Sequence, residues 1–182
     1  RFRDEVLDRG LMAILFSNPS NPTGKLLSGE SLAEWVAEAR ELACYLILDE
    51  FYSHYIFNGP RLTVSAAEFV EDVNKAPVLI VDGITKNWRY PGWRISWTIG
   101  SKDVIQRIIS AGSFLDGGAV HPMQLATVPL LDPTASDNEA RAIQACFSEK
   151  RQLMVEGLRR LGVRVDAPKG SFYCWGNVEA LP

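Results

Sequence analysis

Apolar residues recur along the chain in two rhythms. Short aliphatic and β-branched runs cover residues 11–16, 45–48 and 75–81, and each ends in polar or turn-forming residues, as buried strands do. Between the first two runs, residues 31–42 set Leu32, Trp35, Val36, Ala39 and Leu42 on one helical face, with Ser28 as the expected N-cap. Strand, helix and strand in that order predict parallel pairing. Asn58-Gly59-Pro60 reads as a turn, and residues 64–73 as the site of a short helix. Residues 94–99 form a fourth strand-like run. Only a loop separates it from the third, so an antiparallel placement is open. Helical patterns follow at residues 102–115, broken by Asp116-Gly117-Gly118, and at residues 122–130, ending near Asp132-Pro133.

Past Pro133 the texture changes. Ser136 followed by Glu139 has capping-box spacing, and residues 140–161 keep a helical rhythm through Ile143, Phe147, Leu153, Met154, Leu158 and Leu161. Such a helix is too long for the alternating units before it and predicts a connector to a second domain. The sheet of that domain begins with strands at 163–166 and 171–175 around the Pro168-Lys169-Gly170 turn. The expected division is residues 1–133 as part of a large α/β domain, a mostly parallel sheet with flanking helices, and residues 134–182 as a connector helix and the start of an α+β small domain.

Composition narrows the classes. With 182 residues, 47% hydrophobic and 23% charged, the chain is an ordinary globular sequence. A net charge of -3 gives no basic footprint, which argues against nucleic acid or an anionic membrane as the main partner. Cys44, Cys146 and Cys174 are odd in number and far apart, and neither His54 nor His121 stands at metal-ligand spacing from them. This predicts a reducing, cytoplasmic setting and no metal. No apolar run approaches the roughly 20 residues that span a bilayer. The chain opens on Arg1 and breaks off after a strand-like run, so both ends read as cut.

The carboxyl ends of parallel strands share one edge of a sheet, and ligands bind along that edge. Asn21, Asp49 and Lys86 each follow a predicted strand and converge there. A lysine amine holds an aldehyde as a Schiff base, an aspartate pairs with a protonated pyridine nitrogen, Asn and Tyr donate to a phenolate oxygen, and Arg with a hydroxyl binds phosphate. That set describes pyridoxal phosphate. Duller readings stand beside it: Asp49 as a cap, Tyr52 as core, Lys86 and Arg94 as loop cations. Trp88 and Trp93 read as packing, His54 and Arg89 as surface or supporting residues, and Cys174 and the methionines as core filler.

Asn21-Pro22-Thr23-Gly24, Asp49-Glu50-Phe51-Tyr52, and Thr85-Lys86 with Pro91-Gly92-Trp93-Arg94 resemble the three signature segments of the class I and II aminotransferases, fold-type I enzymes dependent on pyridoxal phosphate. Gly170 to Trp175 is similar to a small-domain strand of the same family. The resemblance implies transamination between an amino acid and a 2-oxo acid. It gives Lys86 the catalytic role through a Schiff base, Asp49 the pyridinium, Asn21 and Tyr52 the phenolate oxygen, and Thr85 and Arg94 the phosphate. It also implies a cis bond at Asn21–Pro22 and a homodimer. Gly83 departs from the pattern, because the family commonly has a phosphate-binding Ser there. No counterpart precedes Arg1 for the family's ring-stacking aromatic, and its substrate-carboxylate arginine would lie beyond Pro182, so the chain alone is expected to bind cofactor poorly and to turn over little. Residues 110–124 contain no Arg or Lys, which leans away from one mode of dicarboxylate recognition. The same fold also serves lyases and decarboxylases, and a non-catalytic binding module is the further alternative.

Overall fold

A computed structural model describes residues 2–57, 59–179 and 181; Asn58, in the turn expected at 58–60, lies outside them. Helix α1 (Phe2–Arg9) leads to strand β1 (Ala13–Ser17), helix α2 (Glu30–Glu41) and strand β2 (Tyr45–Asp49). A 3-10 turn at Ala66–Phe69 stands where the short helix was expected, and strand β3 (Val78–Gly83) follows. The chain then forms the one-turn helix α3 (Ile84–Asn87), strand β4 (Ser96–Ile99) and helices α4 (Lys102–Leu115), α5 (His121–Thr127) and α6 (Pro133–Arg160). Strands β5 (Arg164–Val165) and β6 (Gly176–Asn177) close the order.

The main sheet runs β1-β2-β3-β4. The first three strands are parallel, as the strand–helix–strand order requires, and β4 is antiparallel to β3, which settles its open placement. On one face of the sheet Leu46, Leu48, Val78 and Ile80 pack with Phe2 and Val6 of α1 and Leu32, Val36 and Ala39 of α2. Trp35 wedges between the rings of Phe2 and Phe16, with centroids 5.3 and 5.2 Å away. At about 1.5–3 kcal/mol per fully buried aliphatic side chain, this cluster is the main apolar contribution to the fold. No helix among the described residues is long and apolar enough to cross a membrane.

Several local expectations are corrected. The N-cap of α2 is Gly29, with φ 58°, and not Ser28. Helix α6 starts before Ser136: Asp132 caps it by accepting from the amides of Thr134 and Ala135, with Pro133 at the first helical position. Residues 171–175 form no strand: Ser171 and Phe172 are bent, Ser171 at φ 57°, and it is Gly176–Asn177 that pairs with β5. Of the two readings open for His54, burial excludes the surface one, whereas Met12 and Met154, expected as core filler, are 83% and 56% exposed.

Candidate active site

In register, Asp49 at the end of β2 lies between Ser17 of β1 and Val81 of β3. Lys86 follows five residues after Val81. The lysine expected in a loop is held instead in α3, directly beyond β3. Gly83 pairs with Ser96, so Arg94, two residues before Ser96, stands at the same end of the sheet. Gly83 is where the resemblance would have placed Ser, and the structure gives the reason for glycine. A Cβ there would come within 2.6 Å of the Ile95 carbonyl oxygen and 2.9 Å of the Phe51 ring. Thr85, half-buried in the first turn of α3, is the hydroxyl next to the lysine.

The first loop of the edge, residues 18–27, is organised by buried Asn18. Its amide donates to the Leu27 carbonyl at 2.8 Å and its oxygen accepts from the Leu27 amide at 2.9 Å. Both Asn18–Pro19 and Asn21–Pro22 are cis, the second as expected. Asn21 is exposed, with its backbone N–H 3.4 Å from Ser17 Oγ. Gly24 anchors the loop to the carboxyl-terminal part of the chain: its carbonyl accepts from the amides of Lys169 and Gly170, each at 3.0 Å.

Tyr52 and Lys86 meet around Phe172. The Lys86 amine lies 5.6 Å from the Phe172 ring centroid, and Tyr52 presents an edge-on contact to that ring at 5.1 Å. The Tyr52 hydroxyl is 3.0 Å from that of Tyr173. Burial first, then that hydroxyl, then the nearby charge of Asp49 hold Tyr52 well above the ordinary phenol range, so it stays a protonated donor. Asp49 is half-buried and accepts the Phe51 amide at 3.2 Å. The Arg94 residue is exposed, and its guanidinium donates to the Pro91 carbonyl at 3.1 Å. Lys86 and Tyr52 therefore share Phe172, Asp49 stands near Tyr52 at the end of β2, and Asn21 and Arg94 stand with exposed side chains at the same sheet end.

The sequence pattern missed a second set of residues. Phe172, Tyr173 and Phe147 line up beside Tyr52 and Tyr55 as an aromatic cluster. Behind α3, buried Asn87 and His54 and the carboxyl groups of Glu50 and Asp82 form a polar layer. Burial, reinforced by neighbouring carboxylates, raises Glu50 to about 7 and Asp82 to about 8. No spacing rule singles out these positions.

The solved structures this fold matches place it in the aspartate aminotransferase-like class of pyridoxal phosphate-dependent proteins. The chain belongs to the aminotransferase class I and II family, whose model matches residues 5–181. It is 30% identical over 167 residues to an LL-diaminopimelate aminotransferase of Moorella thermoacetica, covering 91% of this chain and 41% of that protein. It is also 30% identical over 170 residues to an aspartate aminotransferase of Streptomyces avermitilis, covering 92% of this chain and 40% of that one. Among solved structures, a double mutant of Thermus thermophilus aspartate aminotransferase superposes with a TM-score of 0.83 at 28% identity, covering 97% of this chain and 46% of that chain. The chain thus spans about two-fifths of the length of the curated relatives it matches.

Proposed function

We infer that this chain is the cofactor-bearing part of a pyridoxal phosphate-dependent aminotransferase, exchanging an amino group between an amino acid and a 2-oxo acid, with Lys86 as the reactive amine. The observation supporting it is that Lys86 and Tyr52 both approach the Phe172 ring at the sheet end where Asp49, near Tyr52, closes β2. The donor set fits the cofactor group by group. Asp49 is the anion for a protonated pyridine nitrogen, Asn21 and Tyr52 the donors for its phenolate oxygen, and Thr85 with Arg94 the partners of its phosphate. When bound, the cofactor supplies the electron sink that makes the substrate α-carbon acidic. The protein contributes orientation and proton transfer. Lys86 Nζ takes and returns the α-proton, and Tyr52, kept protonated by burial and Tyr173, donates without ionising.

The rest of the reading follows the domain architecture. Residues 1–133 form part of the large cofactor-binding domain, and residues 134–182 the connector helix and the start of the small domain; the start of α6 at Pro133 supports that division. The complete protein is a cytoplasmic homodimer on this reading. The α4–α5 face offers it an apolar surface, with Phe114 90%, Leu115 83% and Val120 64% exposed.

Adding pyridoxal phosphate to the complete protein that contains this chain should give a visible absorption band and a borohydride-reducible adduct mapping to Lys86. Lys86→Ala should lose both, and Arg94→Ala should keep the band while weakening affinity by about 10-fold or more. An unchanged spectrum in Lys86→Ala refutes the assignment.

A further inference from the structure

We propose that Asn87, His54 and Tyr55 form a buried clamp that positions Lys86, acting on the backbone of α3 and not on the bound cofactor. The inference rests on the reading of Lys86 as the reactive amine. A helix of one turn has almost no stability of its own, and the N-cap of α3, Gly83, offers no side-chain bond. Something outside α3 must fix the lysine.

The loop after β2 does so at two consecutive carbonyls. The Tyr55 hydroxyl donates to the Lys86 carbonyl at 3.0 Å, and His54 Nδ1 lies 3.0 Å from the Asn87 carbonyl. A carbonyl only accepts, so His54 carries its proton on Nδ1. Its Nε2 then faces the Ser136 hydroxyl at 3.5 Å, in α6. The Asn87 side chain completes the lock. Its Oδ1 accepts the His54 amide at 3.1 Å, and its Nδ2 stands 2.9 Å from Asp82 Oδ1, 2.9 Å from Ser53 Oγ and 3.2 Å from the Glu50 carbonyl. Two N–H groups serve three acceptors, in a residue with no exposed surface. Helix α6 closes the clamp from outside. Gln144 donates to the His54 carbonyl at 3.2 Å, and Arg89, just past α3, pairs with Glu139 at 2.5 Å. Lys86 is therefore tied to the loop that follows Asp49. The amine and the carboxylate, which must face the two ends of one ring, share a single rigid support.

Tyr55→Phe removes one hydroxyl and keeps the aromatic packing, so it should fold. His54→Leu removes the Nδ1 donor, and His54→Asn returns an N–H at that position. In the complete protein with pyridoxal phosphate bound, Tyr55→Phe and His54→Leu should slow borohydride trapping at Lys86 and kcat by about 10-fold with KM little changed, and move the pH midpoint of the visible band. His54→Asn should restore most of both, and amide exchange over residues 84–90 should quicken in Tyr55→Phe and His54→Leu only. Normal trapping and an unmoved midpoint in folded Tyr55→Phe, with the adduct present on Lys86, would overturn the clamp alone. No adduct at Lys86 in the unsubstituted complete protein would overturn the clamp and the proposed function together.

Discussion

Replacing Asp82 by Asn should make the protein more stable in alkali and leave it nearly unchanged in mild acid. Asp82 sits near the end of β3, where its Oδ1 accepts from the Gly83 amide at 2.6 Å and from Asn87 at 2.9 Å. Burial is the largest cause holding its carboxyl at about 8, with Glu50 and Asp49 adding repulsion, against an ordinary 3.8. The folded state thus holds this proton more tightly than the unfolded state. The resulting stability is complete below about pH 4 and is lost as pH rises through 8. At 1.36 kcal/mol per tenfold change in proton affinity, the gap amounts to roughly 5–6 kcal/mol as an upper bound. Part of the residue remains in contact with solvent, so a working figure is about half of that. Asparagine keeps the accepting oxygen and never ionises. Urea unfolding at pH 5 should therefore separate the two proteins by less than about 1 kcal/mol, and at pH 9 should favour Asp82→Asn by about 2–3 kcal/mol, which in a thermal melt is roughly 5–10 °C in Tm. Glu50, raised in the same direction, repels an ionised Asp82, so relief of that repulsion is part of the gain at pH 9. A stability difference that does not change between pH 5 and pH 9 would refute the argument.

Two further substitutions test the supports of the site. Gly24→Ala meets a backbone at φ 67° and places a Cβ 2.3 Å from Pro168 Cβ and 2.9 Å from the Tyr173 carbonyl oxygen. It should cost about 2–4 kcal/mol in urea unfolding and weaken cofactor affinity by loosening the Asn21 loop. Asp132→Ala removes the cap of α6, and calorimetry should show a loss of about 1 kcal/mol with the cofactor spectrum unchanged.

The strands and the edge they share were legible because burial writes itself into runs such as 45–48 and 75–81, and parallel order follows from connectivity. Helix α3 was not legible. Four residues carry no periodicity, and tertiary hydrogen bonds from Tyr55 and His54, distant in sequence, make the turn. The caps were misplaced for a similar reason. Ser28 and Ser136 have capping chemistry, but Gly29 takes a positive φ that the chain entry needs, and Asp132 combines with Pro133 to start α6 earlier. His54 has the composition of a surface residue, and only the folded loop shows it buried against Trp88, with ring centroids 4.8 Å apart. Signature residues could be named from sequence; the groups that hold them in place could not, since those contacts cross 31 to 121 positions.

One segment does most of that holding. Between Asp49 and Phe57 the chain leaves the central strand, and nearly every residue spends its polar groups on a different partner. The Glu50 side chain accepts the Ala66 amide at 2.8 Å, Ser53 and His54 bind Asn87, and Tyr55 binds Lys86. The Tyr55 carbonyl accepts from Ser171 at 2.8 Å, and the Phe57 amide donates to Lys169 at 3.0 Å. Beyond its two internal turn bonds, from the Ser53 amide to Glu50 and from the Tyr55 amide to Tyr52, such a buried segment must find backbone partners outside itself. Here those partners are the lysine turn on one side and the carboxyl-terminal hairpin on the other. The energetic requirement to satisfy one buried loop is thus the same requirement that brings the two halves of the candidate site into contact. A substitution in 50–57 that leaves the main core intact should therefore impair cofactor holding before it unfolds the sheet, because the core on the α1–α2 face is built almost entirely from other residues.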